Sequence, residues 1–382
     1  MNFTKLPLLL VLAATLILPA SACVNTTYSP IEERQITDDV TKLIMGEHPK
    51  HSEHFWYHEI KRNDRELEAD PDDVEALNDR AVAQLKLKKY NESEQAFLDI
   101  ESRFPGRYKT ASNLGVLYKK TGDYEKAAEH TKKALAIKPS GHLGLGDYYQ
   151  RMLGWRAKHR GIATNTNNSN ATSPNSSTSS TSSTPPQENF LGIPHSASPE
   201  EVAAHPLVNK EHLLTLIKAD RHFADVYAVL GDVLAAEGDL TNALRAYQRA
   251  IELDEGNTFY QRRYADTFGY EPRKPEGHDF AAERQAVELW LEEYQSVEIF
   301  KLSERDPDQL PPLAGEVLKE MTARNIATPV YTETIYKAEK QGQGSYMMLM
   351  LVALVVFVVV PILGVTALVL VVRKFLRSRR VA

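Results

Sequence analysis

Cysteine is nearly absent: Cys23 is the single one in 382 residues, so no intrachain disulfide can form. An excess of positive charge is missing too. Lys and Arg number 45 against 51 Asp and Glu, a net charge of -6. A phosphate-binding surface needs a basic excess, so a nucleic-acid partner is not expected. No Gly-x-Ser-x-Gly elbow, Walker loop, His-Glu-x-x-His or Cys-x-x-Cys occurs. With those signatures gone, no catalytic residue and no cofactor can be named. The glycines of Gly141-His142-Leu143-Gly144-Leu145-Gly146 do not supply a nucleotide loop. Such a fingerprint follows a strand, and here a helix ending at Pro139 comes before it. Long apolar runs are also scarce, being confined to the two ends of the chain.

Those ends suggest a topology. Lys5, an apolar stretch from Leu6 to Leu18 and the small residues Ala20 and Ala22 have the form of a secretory signal peptide over residues 1–22. Cys23 follows at once, in an arrangement that resembles a bacterial lipobox with Ala20 where leucine is usual. Lipidation of Cys23 and plain cleavage are both open. From Met347 to Val372 no charged residue occurs, a longer run than the roughly 20 residues a membrane-crossing helix needs. Arg373, Lys374, Arg377, Arg379 and Arg380 follow it, and a flank so basic stays cytoplasmic. The expectation is a single-pass membrane protein: a transmembrane helix at 346–372, a cytoplasmic tail at 373–382 and the rest extracytoplasmic, periplasmic in a bacterial host.

Between the ends the chain repeats itself. Ala81, Tyr90 and Pro105 stand 34 residues before Gly115, Tyr124 and Pro139. The second unit carries Leu114-Gly115, Tyr118, Gly122-Asp123-Tyr124, Ala127, Ala134 and Pro139. A third, from Ala224, carries Tyr227, Leu230-Gly231, Leu234, Gly238-Asp239, Ala243, Tyr247 and Ala250. Small residues at 81, 115, 127, 231 and 243 let paired helices approach, while the large ones fill the space between pairs. This pattern resembles the tetratricopeptide repeat (TPR). The resemblance implies an all-α solenoid of helical hairpins, two in tandem at 71–141 and one at 224–257, whose neighbours stack to make the core.

The intervening segment begins as another repeat would. His142 to Arg156 and Glu211 to Ala219 read as its two helices, split by a disordered insertion at about 160–205 whose Thr164–Pro186 stretch is almost entirely Ser, Thr, Asn and Pro. Two repeat blocks joined by a linker is the other reading. A helix at His51–Glu68 precedes the array within an extension at 23–70. A helix at Asp279–Phe300, with Asp279 as N-cap, would cap the array within 258–303. Residues 304–345 read as a stalk to the membrane.

His48, His51, His54 and His58 crowd together, and His54 and His58 share a helix face. With His51 they are weak metal candidates, because no third ligand is set by spacing. Asn25, Asn91, Asn167, Asn170 and Asn175 head Asn-x-Ser/Thr triplets, acceptors only in a eukaryotic secretory route.

The TPR resemblance implies that the first helix of each hairpin lines a groove for a peptide or helix of another protein. By spacing, the groove residues are Asn78 and Val82, then Lys109, Ser112, Asn113, Val116 and Lys119, and finally Asp225, Ala228 and Asp232. Lys109, Asn113 and Lys119 match part of the set by which some TPRs clamp a terminal carboxylate. The expected function is a non-enzymatic scaffold or assembly factor that binds proteins and is held to membrane lipid by its C-terminal helix. The alternative is a metal- or haem-handling factor using the His48–His58 cluster.

Overall fold

The computed structural model describes residues 26–27, 37–159, 187–268 and 279–333. The signal segment, Cys23, the Thr164–Pro186 stretch and the apolar C-terminal run lie outside the described residues. Among those described no strand occurs, only an isolated bridge between Glu188 and Pro194. No helix among them is long and apolar enough to cross a membrane.

Three hairpins carry the periodic residues. They are α3 (Val74–Lys86) with α4 (Tyr90–Arg103), α5 (Tyr108–Thr121) with α6 (Tyr124–Ile137), and α10 (Ala224–Glu237) with α11 (Leu240–Leu253). Local chemistry sets their corners. Gly122 and Gly238 end the first helices at φ 81° and 84°, in the left-handed region. The next residues, Asp123 and Asp239, cap the second helices by accepting from the amides of Lys126 and Asn242. In the first hairpin Lys88 takes that conformation at φ 61°, and Lys89 makes no side-chain cap.

The small residues sit where helices touch. A Cβ added at Gly115 would lie 2.8 Å from the Thr131 hydroxyl, and one at Gly231 would lie 2.6 Å from the Tyr247 ring. At Ala81 the backbone carbonyl accepts from the Ser93 hydroxyl at 2.8 Å. The large residues Phe97, Leu114, Leu117, Leu230, Leu234 and Tyr247 fill one continuous apolar core.

Helix α7 (Gly146–Lys158) packs on α6 and reaches α9 (Lys210–Ala219), which packs on α10. Leu145, Tyr148, Leu213 and Leu216 are all buried. The Tyr148 ring lies edge-on to His212, and its oxygen accepts from the Asn209 amide at 2.9 Å. The sequence between them departs from the expected disorder. Residues 187–205 form a tight loop and a short helix, α8 (Pro199–Ala203), that lies against α10. The reason is apolar content: Phe190, Leu191, Ile193 and Val202 are each at most 3% exposed, a burial the polar stretch before them cannot match.

The two ends of the array meet. Helix α1 (Val40–Met45) packs on α9 and α11, and α2 (Glu53–Ala69) packs on α3. Helix α12 (Thr258–Phe268) follows α11, and α13 (Phe280–Ser303) then returns to α1 and α2. Asp279 caps α13 by accepting from the Ala282 amide at 3.1 Å. Near the start of α13, Glu283 takes both ends of the Arg245 guanidinium from α11, at 2.8 and 2.9 Å. Near its end, Glu298 takes His51 Nδ1 at 2.5 Å and the Ser52 amide and hydroxyl, each at 2.7 Å, at the N-terminus of α2. The helix is thus a strut about 22 Å long between those carboxylates, and it joins the last repeat to the helix ahead of the first. Residues 304–333, expected as stalk, contain α14 (Ala314–Ala323), which packs on α13. Beyond it the Thr332 carbonyl accepts from Arg245 and the Tyr331 hydroxyl donates to Glu47. This stretch folds back because Val317, Met321 and Ala314 have an apolar surface to join.

Candidate functional site: the first-helix faces of the hairpins

The residues assigned to the groove lie on α3, α5 and α10, and all but Lys109 are buried. On α3, Asn78 donates to the Val74 carbonyl and accepts from Thr110 of α5. Beside it Asp79, which the spacing did not single out, takes the Lys109 ammonium at 2.7 Å. Lys109 also pairs with Glu75 at 2.6 Å. Asp79 further accepts from the amide and hydroxyl of Thr27, at 3.1 and 2.7 Å. A stretch from the N-terminal extension thus sits on the first helix of the array.

Lys119, at the far end of α5, is buried over the Tyr149 ring and pairs with Asp220 at 3.1 Å. Burial alone would raise the Asp220 carboxyl; Lys119, and Arg156 at 3.2 Å, outweigh it and hold it well below the usual carboxylate range. Both lysines of the partial carboxylate clamp therefore already hold acids of this chain. Ser112, Asn113, Val116 and Val82 are covered as well, each no more than 3% exposed.

The face of α10 has the opposite charge. Asp225 is fully buried and accepts from the Phe190 amide at 2.6 Å and the Tyr260 hydroxyl at 3.2 Å. Burial pushes its carboxyl up to about 7, against the pull of those two donors, and Asp232 and Asp254 add to the rise. Two turns along, Asp232 accepts from Arg263 of α12 at 2.7 and 2.8 Å and from the Tyr247 hydroxyl at 2.6 Å. Burial still leaves its carboxyl raised. Ala228, 3% exposed, lies between the two acids. His195 stacks on Phe259 beside them, and burial drops its imidazole to about 3, so it is neutral near pH 7.

The histidine cluster does not converge. His51 is turned to Glu298 and stacked on Phe55, with ring centres 3.7 Å apart, while His54 points outward and is exposed. His58 is half-buried, and burial lowers its pKa. His48 is buried, its ring nitrogens without hydrogen-bond partners among the described residues, and burial reinforced by Arg221 and Arg249 holds it well below its usual value. Among the described residues no three His, Cys, Asp or Glu side chains come together where a metal ion could sit.

Several residues that shape these faces were missed in the sequence. Asp79, Phe190, Tyr260 and Arg263 belong to no repeat signature. One signal was available: Asn189-Phe190-Leu191-Gly192-Ile193 is an apolar island bounded by turn formers, directly after a polar tract.

Comparison with known proteins agrees with the hairpin geometry. Models of the tetratricopeptide repeat match residues 108–140 and 224–257. No curated protein matches the chain. The α5–α6 and α10–α11 hairpins thus match the tetratricopeptide repeat in sequence as well as in geometry, in a chain that is mostly helical among the described residues.

Proposed function

We propose that the chain is a non-enzymatic scaffold or assembly factor that receives other proteins on the first-helix faces of its hairpins. It is held at a membrane by its C-terminal apolar run with the repeats outside the cytoplasm. One observation carries the binding part: two of these faces already hold polypeptide from elsewhere in the chain. Asp79 on α3 takes Thr27, and Asp225 on α10 takes Phe190. A surface that receives backbone amides and small side chains in this way suits a polypeptide partner. The membrane part rests on the uncharged Met347–Val372 run with five basic residues behind it.

A photo-crosslinking residue at Lys109, on the first-helix face of α5, should capture a protein from native membranes. The same residue at Lys133, exposed on α6, should not. Equal capture at both positions, or none at Lys109, counts against the groove. In spheroplasts, external protease should digest the repeats and spare a C-terminal tag; protected repeats would overturn the topology.

A further inference from the structure

The loop that lies on α10 is organised by its own hydrogen bonds. Asn189 Oδ1 accepts from the amides of Leu191 and Ile193 at 2.9 and 3.1 Å. The Asn189 amide donates to the Ile193 carbonyl at 3.0 Å, and the Gly192 amide donates to the Asn189 carbonyl at 2.8 Å. Gly192 stands at φ 79°, which a side chain would resist, and the His195 amide closes the base on the Gln187 carbonyl at 2.9 Å. Such a loop loses little further conformational freedom on docking.

Its attachment to the helices is of another kind. Among the described residues, polar contacts join it to them through the Phe190 amide to Asp225 at 2.6 Å, Trp155 Nε1 to the Glu188 carbonyl at 3.2 Å, and Arg263 to the Ala197 carbonyl at 2.5 Å. The rest is apolar burial of Phe190, Leu191 and Ile193 and the stacking of His195 on Phe259. The Phe190 ring sits edge-on to Tyr148 and Phe223, with centres 5.9 and 5.3 Å away. None of these contacts needs a covalent link to this chain. The surface covered is the one that carries Asp225 and Asp232, the partner face of the 224–257 repeat.

We propose that the 187–197 loop is an internal occupant of that partner site. The ligand it stands in for is a polypeptide loop of the same chemistry: an aromatic and an aliphatic residue in succession, a turn residue, then a second aliphatic, with the aromatic residue's amide on Asp225. Partner and loop compete for one site. This rests on the protein-binding reading above and names the ligand class and its competitor.

The test uses a fluorescent peptide of residues 187–197 and the full chain in detergent. The peptide should bind a Phe190→Ala, Ile193→Ala double variant at least roughly tenfold more tightly than the unaltered chain. Adding Asp225→Ala should remove that gain. Equal affinity for the double variant and the unaltered chain overturns the proposal. A second measurement does not depend on the variant folding. In the unaltered chain the amides of Phe190, Leu191 and Ile193 should exchange with solvent at least roughly tenfold faster than those of Val229 and Leu230 in α10, since a displaceable loop opens locally. Equal protection would make the loop part of the core and overturn the proposal. A failed scaffold reading would show instead as missing crosslinks at Lys109, with the peptide result intact.

Discussion

The hairpins at 74–137 and the hairpin at 224–253 use one repeat spacing to build faces of opposite character. On the first two, lysines of α5 are drawn down onto acids: Lys109 onto Asp79 and Glu75, Lys119 onto Asp220. On the last, the first helix brings buried acids and no lysine, and Tyr247, Tyr260 and Arg263 come to them. The packing differs as well. Gly115 faces a threonine hydroxyl, whereas Gly231 faces a buried tyrosine ring. Even the corner differs, with Lys88 standing in the first hairpin where Gly238 stands in the last. The spacing thus specifies how two helices cross and leaves open what their outer faces hold.

The comparison can be pressed hardest at Arg263. Replacing it with methionine leaves Asp232 buried with only the Tyr247 hydroxyl, and breaking a buried pair costs on the order of 3 kcal/mol or more. Lys109→Met removes one exposed pair, with Glu75, and one with the buried Asp79, which keeps the amide and hydroxyl of Thr27, so it should cost less, roughly 1–2 kcal/mol. Chemical denaturation of the two variants should separate them clearly, and similar losses would mean that the two faces are held together in the same way. A smaller effect is expected at the crossings. Gly231→Leu and Gly115→Leu should each destabilise by roughly 1–3 kcal/mol. The first should be the worse, because a buried ring must move, whereas at the other site a hydroxyl is the closest atom and the backbone of Ala127 and Thr131 stands off at 3.4 Å. Circular dichroism melts that rank them the other way would place the tighter crossing in the N-terminal repeats. The smallest effect is at the corner. Lys88→Gly should raise stability by up to about 1 kcal/mol, since the left-handed conformation costs lysine what it does not cost glycine. A lower midpoint would show that the Lys88 side chain has a role its backbone conceals.

What the sequence made legible was short in range. The Gly-Asp corners, the small residues at crossings, the cap at Asp279 and the tyrosines that fill the hairpins all act within one hairpin or between neighbours. A repeat records such contacts because each unit needs them anew. The faces were less legible. Asn78, Lys119 and Asp225 were placed on the right helices, but nothing in the spacing showed that they were covered. The sequence alone therefore determined the helical hairpins of this protein, by caps, glycines and periodic apolar residues that act locally. Tertiary structure alone decided what lies on them: Phe190 on Asp225, Asp220 under Lys119, and Glu298 latched to Ser52 across 246 positions. Each of those pairs forms once. A buried charge or amide must find some partner when water is excluded, but at such separation no periodicity marks which partner it will be.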